Sequence, residues 1–430
     1  MNNAYCITAG ELARRGRSNV PEELISSAHL IYSSPATLAF NSPGAQGFGV
    51  KRAGLAIPGS VMLLVSPGCC GRNTTMLSES SGYCERFFYM LMDETDIVTG
   101  RHLTKIPAAV KEVCEACKMM PSAVAICITC VDALLGTDME RVCRKASELA
   151  GVPVIPCYMY ALTREGRLPP MAAVRRSVYS LLAPAEREPD AVNILGYFAP
   201  LNDDCELYPL LRQAGVRRIR EISRCGDFDE YLKMARANFN LVLNPEARYA
   251  AGDMQKNLNI PGVELTRMYQ LDKIKNQYRL FGQAVSAAFD DRKYYGEAFA
   301  AVEKFREKHA GVTFAVGEIL NADPFELSLS LIRYGFAVSE IYGTVGDANF
   351  TYIKKIAESS PQTRIYSNLS PTMLYYDESD SDADAVIGAD AVYYHPGRAG
   401  VGWNEERQPF GYAGVRALFE ALDAALDKEE

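Results

Sequence analysis

Short apolar segments alternate with amphipathic stretches along nearly the whole chain, and this alternation is what most limits the fold. Segments such as "SVMLLVS" (60–66), "AVAICIT" (123–129) and "VPVIPCY" (152–158) are typical of buried strands. Between them lie stretches with helical periodicity, such as "DMERVCRKASELAG" (138–151). Strands that alternate with helices form parallel sheets covered by helices. The sequence therefore predicts an α/β fold.

Two breaks in this alternation predict three Rossmann-like, doubly wound domains. The first break is the polar, proline-containing "LAPAEREPDA" (182–191), and the second follows the charged helix "AFAAVEKFREKHA" (298–310). The predicted divisions are an N-terminal extension at 1–29, a cluster-binding α/β domain at 30–185, a second at 190–295, a third at 310–420, and an acidic tail at 421–430.

Composition and motifs exclude several classes of function. The chain has 430 residues and a net charge of −8, which argues against nucleic acid as a partner. The chain has neither G-x-x-x-x-G-K-[ST] nor a G-x-G-x-x-G that opens a helix after a strand, so we expect no ATP or NAD site. The apolar runs are too short to span a bilayer, and the N-terminus lacks the order of a signal peptide. We therefore expect a cytoplasmic protein without a membrane partner.

Cysteines dominate the candidate metal ligands, because the chain has twelve of them and only four histidines. Cys69 and Cys70 follow "SVMLLVS" in a turn rich in glycine and proline, and Cys130 ends "AVAICIT". Ligands of α/β sheets collect at the carboxyl ends of strands, so these cysteines are candidate ligands of an iron–sulfur cluster. Gly68 and Gly71 would let backbone N–H groups approach the sulfurs.

Other interpretations of the cysteines stay open. Cys114 and Cys117 form one C-x-x-C, and Cys127 and Cys130 form another, which permits a zinc site. However, the first pair lies in a predicted helix and the second ends a predicted strand. The alternative is that most of these cysteines are small buried hydrophobic residues.

Three motifs in order resemble component 1 of nitrogenase and its relatives. These relatives include cofactor-assembly scaffolds, dark-operative protochlorophyllide reductases and nickel-tetrapyrrole reductases. "SPGCCG" resembles the strand-end Gly-Cys-Gly of that family, and "MDETDIVTGRHLTKIPAAVKEV" (92–113) resembles its next segment. "CITCVDALLGTDMERV" (127–142) resembles the third. The resemblance implies that Cys70 and Cys130 are cluster ligands, with Cys69 as a competitor.

Departures from the family pattern change the expected cofactor. The segment that carries the family's first cluster cysteine is "AFNSPGAQGFG" (39–49), which has none. Two ligands per chain imply one [4Fe–4S] cluster shared by a homodimer. In a heterodimer, a paralogue would supply different cysteines and change the cluster. The cysteine and histidine that hold the large nitrogenase cofactor are replaced by Asn244 and by the Gly402–Trp403 pair. We therefore do not expect a true nitrogenase.

The resemblance also implies a cleft between the domains that receives an organic substrate. The candidate lining residues are Asn244, Arg248, Tyr393, Tyr394 and Trp403. An apolar strand in "AVYYHPGRAGVGW" (391–403) would deliver His395 as a catalytic proton donor, and Arg398 would pair with a carboxylate. The alternative is that His395 caps the loop and that Arg398 is a surface charge.

A group of carboxylates also has two interpretations. Asp93, Glu94 and Asp96 are either catalytic carboxylates, or an N-terminal helix cap or solvated turn.

The function that these features favour is that of a nitrogenase-like reductase. It would take electrons from an ATP-dependent iron protein, through an interfacial iron–sulfur cluster, to a small organic or tetrapyrrole-like substrate. The alternatives are a metal-cofactor assembly scaffold, a non-catalytic iron–sulfur electron-transfer or sensor protein, and a protein of this fold without a cluster.

Overall fold

The computed structural model of the chain describes residues 3–25, 32, 34–39, 49–80, 82–129, 131, 135–159 and 168–428. The strands in these residues are β1 Ile7–Thr8, β2 Val61–Ser66, β3 Phe87–Leu91, β4 Val124–Ile128, β5 Val154–Tyr158, β6 Glu188–Leu195, β7 Arg218–Glu221, β8 Ala237–Val242, β9 Gly262–Glu264, β10 Thr313–Val316, β11 Ala337–Tyr342, β12 Arg364–Tyr366, β13 Ala385–Ile387 and β14 Ala399–Val401. The helices are α1 Ala9–Arg15, α2 Pro35–Ala39, α3 Gly49–Gly54, α4 Gly68–Ser80, α5 Glu94–Thr99, α6 His102–Ala116, α7 Met139–Ala150, α8 Pro170–Tyr179, α9 Leu207–Gln213, α10 Phe228–Leu232, α11 Arg248–Leu258, α12 Leu271–Ala284, α13 Arg292–Lys308, α14 Pro324–Arg333, α15 Phe350–Ser359, α16 Ala389–Tyr394 and α17 Gly411–Leu426.

Sheet I contains four parallel strands in the order β3-β2-β4-β5. Every residue of β2 and β4 is buried, as their continuous apolar sequences predict. Successive side chains of a strand point to opposite faces. Leu64 and Cys127 accordingly join one apolar cluster, whereas Val65 and Ile128 join another. Both faces of the sheet are therefore packed.

Sheet II also has four parallel strands, in the order β7-β6-β8-β9. The last five residues of β6 are buried, in agreement with the apolar sequence "AVNIL". The short strand β7, with the sequence RIRE, lies at one edge of the sheet and is only partly buried. Its charged side chains are consistent with an edge position.

Sheet III contains six strands in the order β1-β12-β11-β10-β13-β14. Five of them are parallel, and β1 pairs antiparallel with β12 through Ile7 and Ile365. β1 lies in the segment that we predicted to be an N-terminal extension, so part of that segment belongs to this sheet. The long C-terminal helix α17 buries its apolar side, including Val415, Leu418 and Leu422. The predicted α/β class with parallel sheets is confirmed.

The chain divides into two compact units. One consists of Ala45–Pro200 and Gly215–Thr266 and contains sheets I and II. The other consists of Met1–Gly44, Leu201–Ala214 and Arg267–Glu430 and contains sheet III. The three domain boundaries stay predictions.

In each sheet, the chain first adds strands on one side of its first parallel strand and then crosses to the other side. The point between the two neighbouring strands where this direction changes is called the switch point. In sheet I the chain runs from β2 to β3 on one side and on to β4 on the other. The same reversal occurs between β6 and β8 in sheet II, and between β10 and β13 in sheet III. Ligands of open α/β sheets bind at the carboxyl edge of such switch points. The strand order therefore marks three candidate ligand positions, one in each sheet.

Candidate functional site

Two exposed thiols stand at the switch point of sheet I. β2 ends at Ser66, and α4 begins at Gly68, which places Cys69 and Cys70 in the first turn of the helix. Both cysteines are exposed, and their Sγ atoms are 3.9 Å apart. The glycines and proline here predict a turn, but a helix starts directly after Pro67.

Gly71 sets how closely this helical turn approaches the sheet. A Cβ atom at Gly71 would lie 1.9 Å from Cζ of Tyr89. The Tyr89 hydroxyl in turn donates a hydrogen bond to the carbonyl of Ser66, at 3.2 Å. Burial raises the pKa of Tyr89, and the nearby Cys69 and Cys70 raise it further. Gly71 thus provides room for a tyrosine beneath the thiols, and its predicted role toward a cofactor stays a prediction.

Cys130 lies outside the described residues, but the strand that precedes it is described. β4 pairs with β2, with Ile128 opposite Val65, so these strands end side by side. Thr129 follows β4 and is 3% exposed, and its Oγ1 has no hydrogen-bond partner in the described part of the chain. A buried hydroxyl without a partner is unusual and can donate to a bound group. Thiols and a free donor at one sheet edge fit an iron–sulfur cluster.

The remaining cysteines of this sheet do not converge on a metal site. Cys114 packs in the apolar cluster on one face, and Cys127 packs in the cluster on the opposite face. Within the described ranges, Cys114, Cys117 and Cys127 do not form a group of metal ligands. Burial raises the pKa of Cys143 to about 12, so that thiol stays protonated at neutral pH. These positions agree with the interpretation of small buried hydrophobic residues.

The carboxylates that follow β3 form a helix cap. Asp93 is the N-cap of α5: its side chain accepts a hydrogen bond from the backbone N–H of Asp96, and its own backbone N–H donates to the carboxylate of Asp96. Asp96 also binds Lys105 and Arg101, each at 2.6 Å. The hydrogen bond from Lys105, helped by Arg101, lowers the pKa of Asp96 despite its burial. The interpretation as a cap is confirmed.

The switch point of sheet II holds an amide and a buried cation. Gly196 follows β6 with φ of +140°, and a Cβ there would lie 2.8 Å from the backbone nitrogen of Asn244, which follows β8. The Oδ1 of Asn244 accepts a hydrogen bond from the backbone N–H of Glu246. Arg175 is 4% exposed and donates to the Gly196 carbonyl through Nη2 at 2.8 Å. It also contacts Glu246 at 2.7 Å, so the cation holds the strand ends in place.

Arg248, the second predicted cleft residue on this sheet, is exposed in the first turn of α11. Its Nε donates to both carboxylate oxygens of Glu264, each at 2.9 Å. Glu264 ends β9, so this pair joins α11 to the end of that strand. The hydrogen bond to Glu264 raises the pKa of Arg248.

His395 lies in a closed hydrogen-bonded cluster in the sheet III unit. Its side chain is 0% exposed, and Nε2 lies 3.1 Å from the hydroxyl of Tyr342 and 3.0 Å from that of Tyr376. Both hydroxyls also donate to the buried carboxylate of Glu340, whose second oxygen accepts from Arg364. Burial alone would raise the pKa of Glu340, but the hydrogen bonds and Arg364 outweigh it and lower that pKa. A role for His395 as a proton donor stays a prediction.

The segment before His395 is a helix and not the predicted strand. Tyr393 and Tyr394 end α16, which begins directly after Gly388, a residue with φ of +114°. Tyr394 is buried, its hydroxyl donates to Oδ1 of Asn368 at 3.3 Å, and burial raises its pKa to about 12. Tyr393 is exposed.

Trp403 and Arg398 occupy opposite environments. Trp403 is 6% exposed, and its Nε1 donates to the hydroxyl of Tyr269 at 2.6 Å. Arg398 is exposed in the turn between α16 and β14, and it forms no ion pair with other described residues. Of the residues predicted for sheet III, Arg398 and Tyr393 are thus accessible, whereas Trp403, Tyr394 and His395 are packed inside.

A pair of carboxylates at the switch point of sheet III escaped the sequence analysis. Glu318 follows β10, and Asp390 follows β13. The two oxygens of Asp390 accept the backbone N–H groups of Glu318 and Ile319, each at 2.9 Å. Asn368, which follows β12, donates to Asp390 at 2.7 Å, and the backbone N–H of Thr344 donates to Oε1 of Glu318 at 2.8 Å. A Cβ at Gly317 would lie 2.1 Å from Asp390, so that glycine permits the approach.

This arrangement favours a proton on the carboxylate pair. Burial raises the pKa of Glu318, and the charge of Asp390 raises it further. Burial also raises the pKa of Asp390, which is 0% exposed, although the hydrogen bonds to its carboxylate act to lower that pKa. Two nearby buried carboxylates resist double ionisation because their like charges repel. The only signal in the sequence is an acidic residue just beyond each apolar strand, which has no meaning until the strand order is known.

Comparison with known proteins identifies the family. Residues 45–427 match the family described as nitrogenase component 1 type oxidoreductase. The chain belongs to this family. The resemblance found in the sequence is therefore confirmed. Proteins of this family bind iron–sulfur clusters and normally work with an iron protein partner.

Several relatives are named for cofactor biosynthesis. The nitrogenase iron-molybdenum cofactor biosynthesis protein NifE of Sinorhizobium fredii is 25% identical over 364 residues, which cover 78% of this chain and 71% of that protein. NifE of Rhodobacter capsulatus is 24% identical over 399 residues, or 85% of this chain and 80% of that protein. The solved structure titled "Nitrogenase Cp1 at pH 6.5" has a TM-score of 0.70 and 17% identity, and each chain is covered to 94%. This structural likeness concerns the fold. Among the described residues, no helix is long and apolar enough to cross a membrane.

Proposed function

We propose that this chain is the catalytic component of a nitrogenase-like reductase in the cytoplasm. It would take electrons from an ATP-dependent iron protein and reduce a small organic or tetrapyrrole-like substrate. The observation that carries the proposal is the exposed pair Cys69 and Cys70, in the first helical turn at the switch point of sheet I. Exposed sulfur at the ligand-binding edge of a sheet suits a redox centre.

Cys70 and Cys130 are the proposed ligands, with Cys69 as the alternative to Cys70. Two chains related by a two-fold axis bring the same residues together, and four thiolates are the usual ligand set of one [4Fe–4S] cluster. Such a cluster would supply one-electron transfer. A heterodimer with a paralogue would replace two of these ligands.

Reduction of an organic substrate also consumes protons, and Glu318 is the proposed donor. A general acid works best when its pKa lies near the operating pH, and burial moves the pKa of Glu318 in that direction. Asp390 and the backbone N–H of Thr344 would hold the carboxyl group in place. His395 is the weaker candidate, because its ring is completely buried behind Tyr342 and Tyr376.

Assembly of a metal cofactor is the second candidate function, and the names of the NifE relatives favour it. A scaffold that holds a large metal cluster needs sulfur or imidazole ligands for it. Asn244 occupies the switch point of sheet II, and its Oδ1 is already used in a helical cap. His395 is enclosed by its tyrosine and glutamate partners. These two environments are the reason that we rank the reductase first.

The test is anaerobic purification of the full chain, with iron, sulfide, molybdenum and native mass determined. We expect a dimer with about two irons per chain, since one four-iron cluster would be shared. Cys70→Ala should lose most of this iron. Cys84→Ala is the matched control, because Cys84 is also exposed but lies before β3, away from the switch point.

The outcomes separate the two functions. Iron that is lost in Cys70→Ala but kept in Cys84→Ala supports the redox centre. Metal well above two irons per chain, which survives the loss of Cys70, supports the scaffold. A dimer that binds no iron contradicts both.

A further inference from the structure

A basic segment beside the edge of sheet II takes no part in the proposed reaction. Residues 217–236 carry six basic and four acidic side chains in a chain whose net charge is −8. A cavity of about 500 Å³ lies along β7, the edge strand, and Arg218, Arg220, Arg224 and Lys233 supply its basic lining. Sites of roughly this volume accept small organic ligands.

The acidic groups of this cavity are already engaged. Glu188 accepts a hydrogen bond from Nη2 of Arg220 at 2.5 Å, which lowers its pKa. Glu221 pairs with Arg224 at 3.0 Å, and Glu230 accepts the backbone N–H of Gly226 at 2.7 Å. The three carboxylates thus have donors from the protein itself.

Two of the basic groups, by contrast, are not fully paired within the described part of the chain. The side chain of Arg220 is 12% exposed, and its Nη1 is buried without a hydrogen-bond partner in the described part of the chain. A guanidinium N–H that is buried and unpaired is costly, so an acceptor from outside would be favoured. Lys233 is exposed at the cavity and forms no ion pair with other described residues. Burial raises the pKa of Cys225, which also lines the cavity, to about 11, so its thiol adds no negative charge.

We propose that this cavity binds the oxyanion group, phosphate or carboxylate, of a small organic molecule. The guanidinium of Arg220 would supply a positive charge and a hydrogen-bond donor to the oxyanion, and Lys233 would add a second positive charge at the cavity mouth. Arginine is suited to such groups because its planar fork matches their oxygen geometry. The site lies on sheet II and uses no residue of the proposed reductase.

The test is isothermal titration calorimetry of the full chain with inorganic pyrophosphate and with citrate, each against sodium chloride of equal ionic strength. We expect one or both anions to bind. The ratio of the two affinities, for pyrophosphate and for citrate, distinguishes a phosphate ligand from a carboxylate ligand. Arg220→Gln should weaken binding about tenfold or more, as expected for the loss of a charge-assisted hydrogen bond. Arg217→Gln is the matched control, because Arg217 is an exposed neighbour that does not line the cavity.

Arg220→Gln removes a partner of Glu188, so its unfolding temperature must be measured without ligand. If that variant does not fold, Lys233→Gln replaces it as the test, because Lys233 is exposed and its replacement should not affect folding. Lys233→Gln should bind the anion at least severalfold more weakly than Arg217→Gln does. The proposal is overturned if neither anion binds above the chloride control. It is also overturned if the variants bind as tightly as the unmodified chain.

Discussion

Gly71→Ala is expected to displace the helical turn that carries the thiols. The new Cβ would lie 1.9 Å from Cζ of Tyr89, whereas carbon atoms in contact normally lie roughly 3.5–4.0 Å apart. An overlap of this size must move either the tyrosine ring or the first turn of α4, and overpacking typically costs about 1–3 kcal/mol. We expect a loss of this size in urea unfolding followed by circular dichroism. We also expect less iron per chain, because Cys69 and Cys70 share the turn.

Gly68→Ala is the matched control for this prediction. Its Cβ would meet Leu91 at 3.8 Å, which is an ordinary contact. Helix propensity alone favours alanine over glycine by up to about 1 kcal/mol, so Gly68→Ala should not destabilise the chain. Tyr89→Ala removes the ring that the new Cβ would strike. The double variant Gly71→Ala/Tyr89→Ala should therefore be more stable, by about 1 kcal/mol or more, than the sum of the two single effects predicts. If Gly71→Ala is as stable as Gly68→Ala, or if loss of the ring brings no recovery, the steric argument is refuted.

Two further predictions concern the sheet III unit. The folded state holds protons on Glu318 and Asp390 at pH values where the unfolded chain has lost them, so stability should fall as pH rises through their raised pKa values. In urea unfolding between about pH 5 and about pH 8, the free energy of unfolding of Glu318→Gln should therefore fall less than that of the unmodified chain. If the free energy of unfolding depends on pH in the same way in both proteins, the carboxylate pair does not share a proton. Tyr376→Phe removes a 2.7 Å hydrogen bond to the buried Glu340 and should cost about 1–3 kcal/mol in the same assay. Tyr375→Phe, at an exposed neighbour, should stay within about 0.5 kcal/mol, and equal effects of the two changes would contradict a role for the buried cluster.

The alternation of apolar segments with helical stretches was enough to predict strands β2, β4 and β5. A strand that is buried on both faces needs an apolar residue at nearly every position, and "SVMLLVS" and "AVAICIT" are such strands. Local signals failed where tertiary contacts decide. The valine and tyrosines of α16 suggest a strand, yet Asp390 in its first turn is tied to the backbone of Glu318 and Ile319, which favours a helix there.

The candidate thiols illustrate the same limit. Two glycines and a proline around Cys69 and Cys70 predict a turn, because glycine and proline are poor within helices. Proline is tolerated just before a helix, however, and the hydroxyl of Thr74 donates to the Cys70 carbonyl one turn back, at 2.8 Å. The position of the thiols at a strand end was predictable, whereas the helix that presents them was not.

The strand order explains why one half of the candidate site was found and the other missed. Cysteine is rare enough that Cys70 draws attention in any sequence, but a glutamate after a strand, such as Glu318, does not. Only the order β11-β10-β13 places Glu318 beside Asp390, and only burial gives the pair a reason to hold a proton. The same kind of switch point carries thiols in sheet I, an amide over a buried arginine in sheet II, and carboxyl groups in sheet III. If our proposal is correct, the chain assigns electrons and protons to different sheets, so loss of Glu318 should leave the iron content unchanged while loss of Cys70 abolishes it.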